Sequence, residues 1–230
     1  MTRYGLISDI HANYENLEKA MQELEKHRID KIICLGDIAE DQESTNKCID
    51  LLIANNVTSV LGNHDDLILR SGCANLNKKS LEYLRESPKK IEINDMVFVH
   101  DHPLGEEHRG TRKFFCEYIK MACQGKELLT LTPYRLIFVG HTHEPAIISE
   151  TERKDILESS KYKLHKKHRY VLNPGPINST RDCGTTPCIG IFDTDENTFE
   201  VHRPEAKINE IIFEFLGVEL EPISNSKYSF

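Results

Sequence analysis

Five short apolar runs in this chain each stop at residues able to ligate a metal. Residues 4–7 lead into Ser8-Asp9-Ile10-His11, and residues 32–35 into Gly36-Asp37. Residues 57–61 lead into Gly62-Asn63-His64-Asp65. Residues 96–99 lead into His100, and residues 136–139 into Gly140-His141-Thr142-His143. Runs this short, bounded by Gly and polar residues, read as buried strands of a mostly parallel sheet. In such sheets ligands bind beyond the carboxyl ends of the strands. The residues that follow the runs therefore face one shared crevice. Two Asp, one Asn and several His gathered there form a metal-ligand inventory.

Between the runs the apolar spacing becomes helical. Segment 14–27 sets Leu17, Ala20, Met21 and Leu24 on one face, with Asn13 as N-cap. Segment 44–54 turns Cys48, Leu51 and Leu52 inward. The chain thus opens as a parallel βαβαβ unit. Segment 80–86 is a short helix stopped by Pro88. Residues 90–93 and 96–99 flank Asn94-Asp95, a hairpin turn that breaks the parallel order. Segment 112–123 is helical, with Phe115, Ile119 and Ala122 on one side. Segment 150–169 is rich in charge and reads as a solvated excursion between strands. Residues 171–172 lead into the Asn173-Pro174-Gly175-Pro176 turn. Residues 188–192 and 198–202 form a second hairpin. Segment 206–216 reads as a terminal amphipathic helix, followed by a mobile tail over 217–230. With 230 residues and no internal repeat, one domain over 1–230 is the simplest parse.

Charge and cysteine content narrow the function class. A net charge of −8 argues against a general nucleic-acid surface, which carries a basic excess. Seven cysteines without a C-x-x-C pair read as reduced thiols in a reducing compartment. Cys34, inside an apolar run, reads as core. Cys183 and Cys188 are spaced to meet across a turn, but no second pair completes a zinc knuckle. No basic-then-apolar leader opens the sequence, and no apolar stretch nears about 20 residues. A cytoplasmic protein with no membrane partner is expected.

Taken together, Asp9-Ile10-His11, Gly36-Asp37, Gly62-Asn63-His64-Asp65, His100 and Gly140-His141-Thr142-His143 resemble the five blocks of the calcineurin-like metallophosphoesterase superfamily. Asn173-Pro174-Gly175 resembles a turn of its small single-domain bacterial and archaeal members. The resemblance implies two facing mixed β-sheets flanked by helices, a four-layer αββα sandwich. It also implies two divalent ions. Asp9, His11 and His143 would hold one, Asn63, His100 and His141 the other, and Asp37 would bridge them. Oxygen and imidazole donors without thiolate suit Mn, Fe, Zn, Co or Ni, with Mg also open. Two divalent ions set against two carboxylates and one hydroxide keep about one formal positive charge, suited to a phosphate oxyanion. By the resemblance, a metal-bridging hydroxide attacks phosphorus in line and His64 protonates the leaving alkoxide, a role suited to imidazole near neutral pH. Glu40 matches the place of an acidic partner for that His; Asp65 is the competing candidate. Asn63 would also contact the non-bridging phosphate oxygens.

Three loops depart from the family pattern or leave readings open. Ile38-Ala39-Glu40-Asp41 follows Asp37 and lacks the Arg-Gly of protein serine/threonine phosphatases. Asp101 stands after His100 where relatives carry Gly, and His102 follows it. Arg181 lies where relatives carry a Pro-Arg element; it is a candidate contact for a substrate phosphate, with a surface ion pair as the alternative. Segment 104–131 is either a substrate cap or a plain connection. The expected activity is hydrolysis of a small phosphorylated substrate, a phosphodiester or phosphomonoester. The alternatives are a dinucleoside polyphosphate hydrolase, a protein phosphatase, or an inactive interaction module of the same fold. Loss of His64 or of several ligands would mark the last, and all are present. The apolar residues Ile211, Ile212, Phe213 and Phe215 leave packing on the chain's own core or in a homo-oligomer open.

Overall fold

The computed structural model describes residues 2–40, 42–72, 75–104, 129, 131–150, 153–178, 187–204 and 212–214. The expected helix over 112–123, most of segment 104–131, Arg181, Cys183 and the tail 217–230 lie outside the described residues.

Two mixed sheets carry the apolar runs. In the first, β1 (Arg3–Ile7), β2 (Lys31–Cys34) and β3 (Thr58–Ser59) lie parallel. Antiparallel β11 (Ile189–Asp193), β12 (Thr198–His202) and β9 (Ser160–Lys163) extend this sheet beyond β1, and β13 (Ile212–Glu214) closes it. In the second sheet, β5 (Met96–Val99), β6 (Leu136–Phe138) and β10 (Tyr170–Asn173) lie parallel. Antiparallel β4 (Lys90–Ile93) flanks them on one side, with β7 (Ala146–Ser149) and β8 (Arg153–Asp155) on the other. The two facing mixed sheets that the resemblance implied are thus present, and the parallel order read from the apolar runs holds only for the central strands of each. Short buried runs look alike in either sheet, and sequence periodicity does not assign a strand to its neighbours.

Alternate residues of each central strand serve different cores, which is why the runs are continuously apolar. Tyr4, Leu6, Phe98, Phe138, Phe192 and Phe199 meet between the sheets. Ile7, Cys34, Ile189 and Ile191 point the other way, onto helices α1 (Tyr14–Glu25) and α2 (Ser44–Ala54). Leu17, Ala20, Met21 and Leu24 form the buried stripe of α1, and Asn13 caps it by accepting from the Asn16 amide at 3.1 Å. The second sheet buries Val97, Val99, Ile137 and Val139 on its outer face.

Two further expectations are overturned. Segment 150–169 is not a solvated excursion: it holds β8 and β9, and Ile156, Tyr162 and Leu164 are buried. Lysines at alternate positions of β9 raise the charge count while the other face enters the core. Within 206–216, residues 212–214 form a strand rather than a helix, because they pair in parallel with β9. A short apolar cluster fits either period, and the neighbouring strand decides. Two helices complete the described elements: α3 (Asn63–Ser71), which begins at the ligand motif itself, and α4 (Lys78–Glu86).

Candidate metal centre

Each parallel strand delivers its following residues to one edge. Asp9 and His11 follow β1, Asp37 follows β2, Asn63 opens α3 just past β3, His100 follows β5, and His141 and His143 follow β6. The loops are tightly turned. Asp9, His11, Asp37, His141 and His143 all have left-handed backbones, with φ between 45° and 63°. Such φ values are uncommon and mildly costly for residues with a Cβ, and they cluster at functional sites. Here the loops hold one another. The His11 amide donates to the Asp37 carbonyl at 3.0 Å, and the His141 amide donates to the Asp9 carboxylate at 3.0 Å. Gly62 is required for close approach, since a Cβ there would sit 2.2 Å from the Asp37 amide nitrogen and carboxylate.

The side chains gather in two groups joined by one carboxylate. His11 Nε2 and His143 Nε2 are 3.1 Å apart, and Asp9 Oδ1 lies 3.4 Å from the latter. In the second group, Asn63 Oδ1 is 2.9 Å from both His100 Nε2 and His141 Nδ1, which are 3.2 Å from each other. Asp37 Oδ2 faces both groups, 3.2 Å from His100 Nε2 and 3.8 Å from His11 Nε2. Asp9, Asp37, His100 and His143 are almost fully buried.

Outer hydrogen bonds select which nitrogens point inward. His100 Nδ1 donates to the Leu35 carbonyl at 2.8 Å, and His11 Nδ1 donates to Glu40 at 2.7 Å. Both imidazoles therefore turn Nε2 to the centre, as metal-ligating histidines do. The result is a convergence of oxygen and imidazole nitrogen atoms that a divalent cation, displacing the imidazole protons, would satisfy. The carboxylate charges fit the same need. Burial would raise Asp37, but the hydrogen bond and charge of His100, the His64 amide and His11 outweigh it and hold the carboxyl well below its usual range. Asp9 is likewise lowered: burial opposes, and the hydrogen bond to His143 and the charge of His100 prevail. Burial would lower His100, yet Asp37 raises it to about 10. His141 is lowered by burial and by the neighbouring His100 charge. A donor set of imidazoles, carboxylates and one amide oxygen, with its outer partners in place, fits divalent transition ions.

His64 stands at the mouth, about 29% exposed, with Nδ1 2.9 Å from Glu40 Oε1. The same oxygen receives His11 Nδ1. Glu40 therefore orients one residue of each kind, a ligand candidate and the acid candidate. Asp65 does not take that place. It is fully buried and accepts from the amides of Gly62, Ile38 and Ala39 at 2.8–3.0 Å. It thus ties the first turn of α3, which carries Asn63 and His64, to the loop that carries Glu40. Burial, and then the Asp37 charge, push its carboxyl up to about 6 against those amides.

Asn173, at the end of β10, carries a role that its turn motif only hinted at. Its buried amide donates to the Gly140 carbonyl at 2.8 Å and to Thr142 Oγ1 at 3.1 Å, and its oxygen accepts from the Gly175 amide. It pins the loop bearing His141 and His143. Asp101 accepts from the His102 amide at 2.7 Å. A cleft of about 440 Å³ opens beside Asn63 and His100, lined in part by Lys89, Lys90, Asp101 and Tyr134.

The chain is similar to known proteins over most of its length. The family model for the calcineurin-like phosphoesterase superfamily domain matches residues 2–197. An uncharacterised protein of Methanocaldococcus jannaschii is 31% identical over 223 residues, covering 90% of this chain and 88% of its own. The crystal structure of a metallophosphoesterase from Sphaerobacter thermophilus is similar with a TM-score of 0.70 at 25% identity, over 90% of this chain and 89% of that one. A protein of Pyrococcus horikoshii OT3 gives 0.61 at 15% identity, over 90% and 89% of the two chains, and shows the fold alone. Two facing mixed sheets with flanking helices are the architecture of that superfamily.

Proposed function

Because this chain belongs to the calcineurin-like phosphoesterase superfamily, we propose that it hydrolyses a small phosphoester with two divalent ions. Metal-dependent phosphoester hydrolysis is the chemistry the superfamily implies. Asp9, His11 and His143 would hold one ion, Asn63, His100 and His141 the second, with Asp37 shared. When bound, the ions supply Lewis acidity and lower the pKa of the attacking water. Mn2+ is the first choice for loading, ahead of Fe, Zn, Co, Ni or Mg.

The observation that carries the reading is Glu40 Oε1, shared between His11 and His64. A scaffold protein has no use for a mouth histidine oriented by the same carboxylate that orients a ligand. With Nδ1 committed to Glu40, His64 keeps Nε2 for a proton to hand to the leaving oxygen. Asn63, at the first turn of α3, presents an amide toward the non-bridging oxygens. The size of the adjoining cleft suits a small substrate rather than a polymer.

The test is turnover of model monoesters, diesters and nucleotide anhydrides by the Mn2+-loaded protein beside His64→Ala. On a poor leaving group the variant should lose about 10²- to 10⁴-fold in kcat. On a good leaving group such as p-nitrophenolate it should lose far less. No turnover of any phosphoester would overturn the hydrolase, and metal-independent turnover would overturn the two-ion chemistry; an unaffected His64→Ala on the poor leaving group would overturn only the acid role.

A further inference from the structure

We propose that a second metal site, separate from the strand-end centre, lies between the C-terminal end of α1 and the outer face of β12, formed by Glu23, His27 and His202 and suited to Zn2+. Glu23 lies in the last turn of α1, and His27 follows its C-cap Lys26, with the His27 amide donating to the Leu24 carbonyl at 3.0 Å. Glu23 lies roughly 15 Å along the helix axis from the N-cap Asn13, which adjoins the strand-end centre. His202, at the end of β12, faces Glu23 and His27 from the sheet. One ligand atom from each of the three lies within 4.8 Å of the others.

The two imidazoles of this cluster lie against each other. His27 and His202 pack with ring centroids 4.6 Å apart. His27 Nε2 is buried and has no hydrogen-bond partner among the described residues, with Glu23 Oε1 facing it at 3.5 Å. A buried nitrogen left unmatched is costly, and a bound ion would satisfy it. Glu200 adds a second carboxylate, with Oε2 3.1 Å from His202 Nε2.

Neighbouring cations do not block the site; they orient it. Lys26 takes Glu23 Oε2 at 2.6 Å, leaving Oε1 toward His27. Lys161 takes Glu200 Oε1 at 2.8 Å, with Arg3 at 3.9 Å from the same oxygen, leaving Oε2 toward His202. Each carboxylate thus spends one oxygen on a lysine and aims the other at the imidazole pair. Two imidazoles and one carboxylate, with a fourth position for Glu200 or water, match zinc's preferred donors. Such an ion would clasp α1 to the first sheet rather than act on substrate.

The test counts zinc in the full chain after stripping and reloading, beside the His27→Gln/His202→Gln double variant. Wild type should hold one more equivalent of Zn2+, and zinc should raise its Tm by more than that of the variant. Imidazole 15N signals of His27 and His202 should shift at stoichiometric Zn2+. Hydrolysis by the Mn2+-loaded variant should match wild type, so failure here and failure of the hydrolase reading are separable. Equal zinc content in the two proteins would overturn the proposal. Should the double variant misfold, the wild-type imidazole signals decide: unmoved His27 and His202 resonances while zinc fills the strand-end centre would overturn it too.

Discussion

At the scale of single residues, Glu40 has the most consequences for its size. One oxygen serves His11 and His64, so its removal should act on metal binding and on proton transfer together. Glu40→Ala is expected to weaken metal affinity about 10- to 100-fold, as loss of an outer partner typically does. Turnover at saturating metal should fall as well; metal titration and kcat, measured separately, check the two halves. Glu200 gives a residue-scale prediction about pH. Burial would raise its carboxyl, but His202 and Lys161 outweigh burial and bring it to about 2, from an ordinary value of 4.5. A depressed carboxyl contributes stability that is fully present above its unfolded value and is lost as pH falls through the folded one. Stability should therefore decline between pH 4.5 and about 2, and Glu200→Gln should flatten that slope in acid unfolding curves.

At the scale of elements, contacts from outside the ligand-bearing strands hold the centre in shape. Asn173 belongs to β10, which supplies no ligand candidate, yet it hydrogen-bonds the carbonyl of Gly140 and the hydroxyl of Thr142. Asn173→Ala would leave buried polar groups unpaired, at a cost of about 1–3 kcal/mol. Denaturant melts should show that loss, and metal titration should show weaker binding because His141 and His143 share the freed loop. Helix α3 makes a related point. Its start at Asn63 turns a strand-end motif into the first turn of a helix, and buried Asp65 locks that turn to the amides of Ile38 and Ala39. Sequence reading set Asp65 beside Glu40 as a partner for His64. Distinguishing them required knowing that residue 65 points back under the loop while residue 40 reaches over it.

At the scale of the whole molecule, the contact between the two sheets sets the geometry of the centre, since each ion would draw ligands from both. Phe138 lies in that contact, stacked on Phe98 with centroids 4.6 Å apart and touching Phe192 of the opposing sheet. Phe138→Ala should destabilise the protein by about 3–5 kcal/mol, measured by equilibrium unfolding. Among the described residues no helix is long and apolar enough to cross a membrane.

The strand-end motifs determined much of this protein in the linear sequence. Apolar runs of four or five residues must be buried, and a sheet gives their ends a common edge, so Asp9, Asp37, Asn63, His100 and His141 were legible as neighbours before any coordinates. Helices α1 and α2 were legible because their apolar spacing is local. What only the tertiary structure decided is which strand lies beside which, and which polar atom faces which. The strands at 153–155, 160–163 and 212–214 exist because distant segments pair with them, against a local reading of loop or helix. Glu40 was separated from Asp65, and Glu23, His27 and His202 were brought together, by contacts between residues far apart in sequence. Periodicity reports whether a side chain is buried; the partner it meets there is set by packing between elements, which no local pattern encodes.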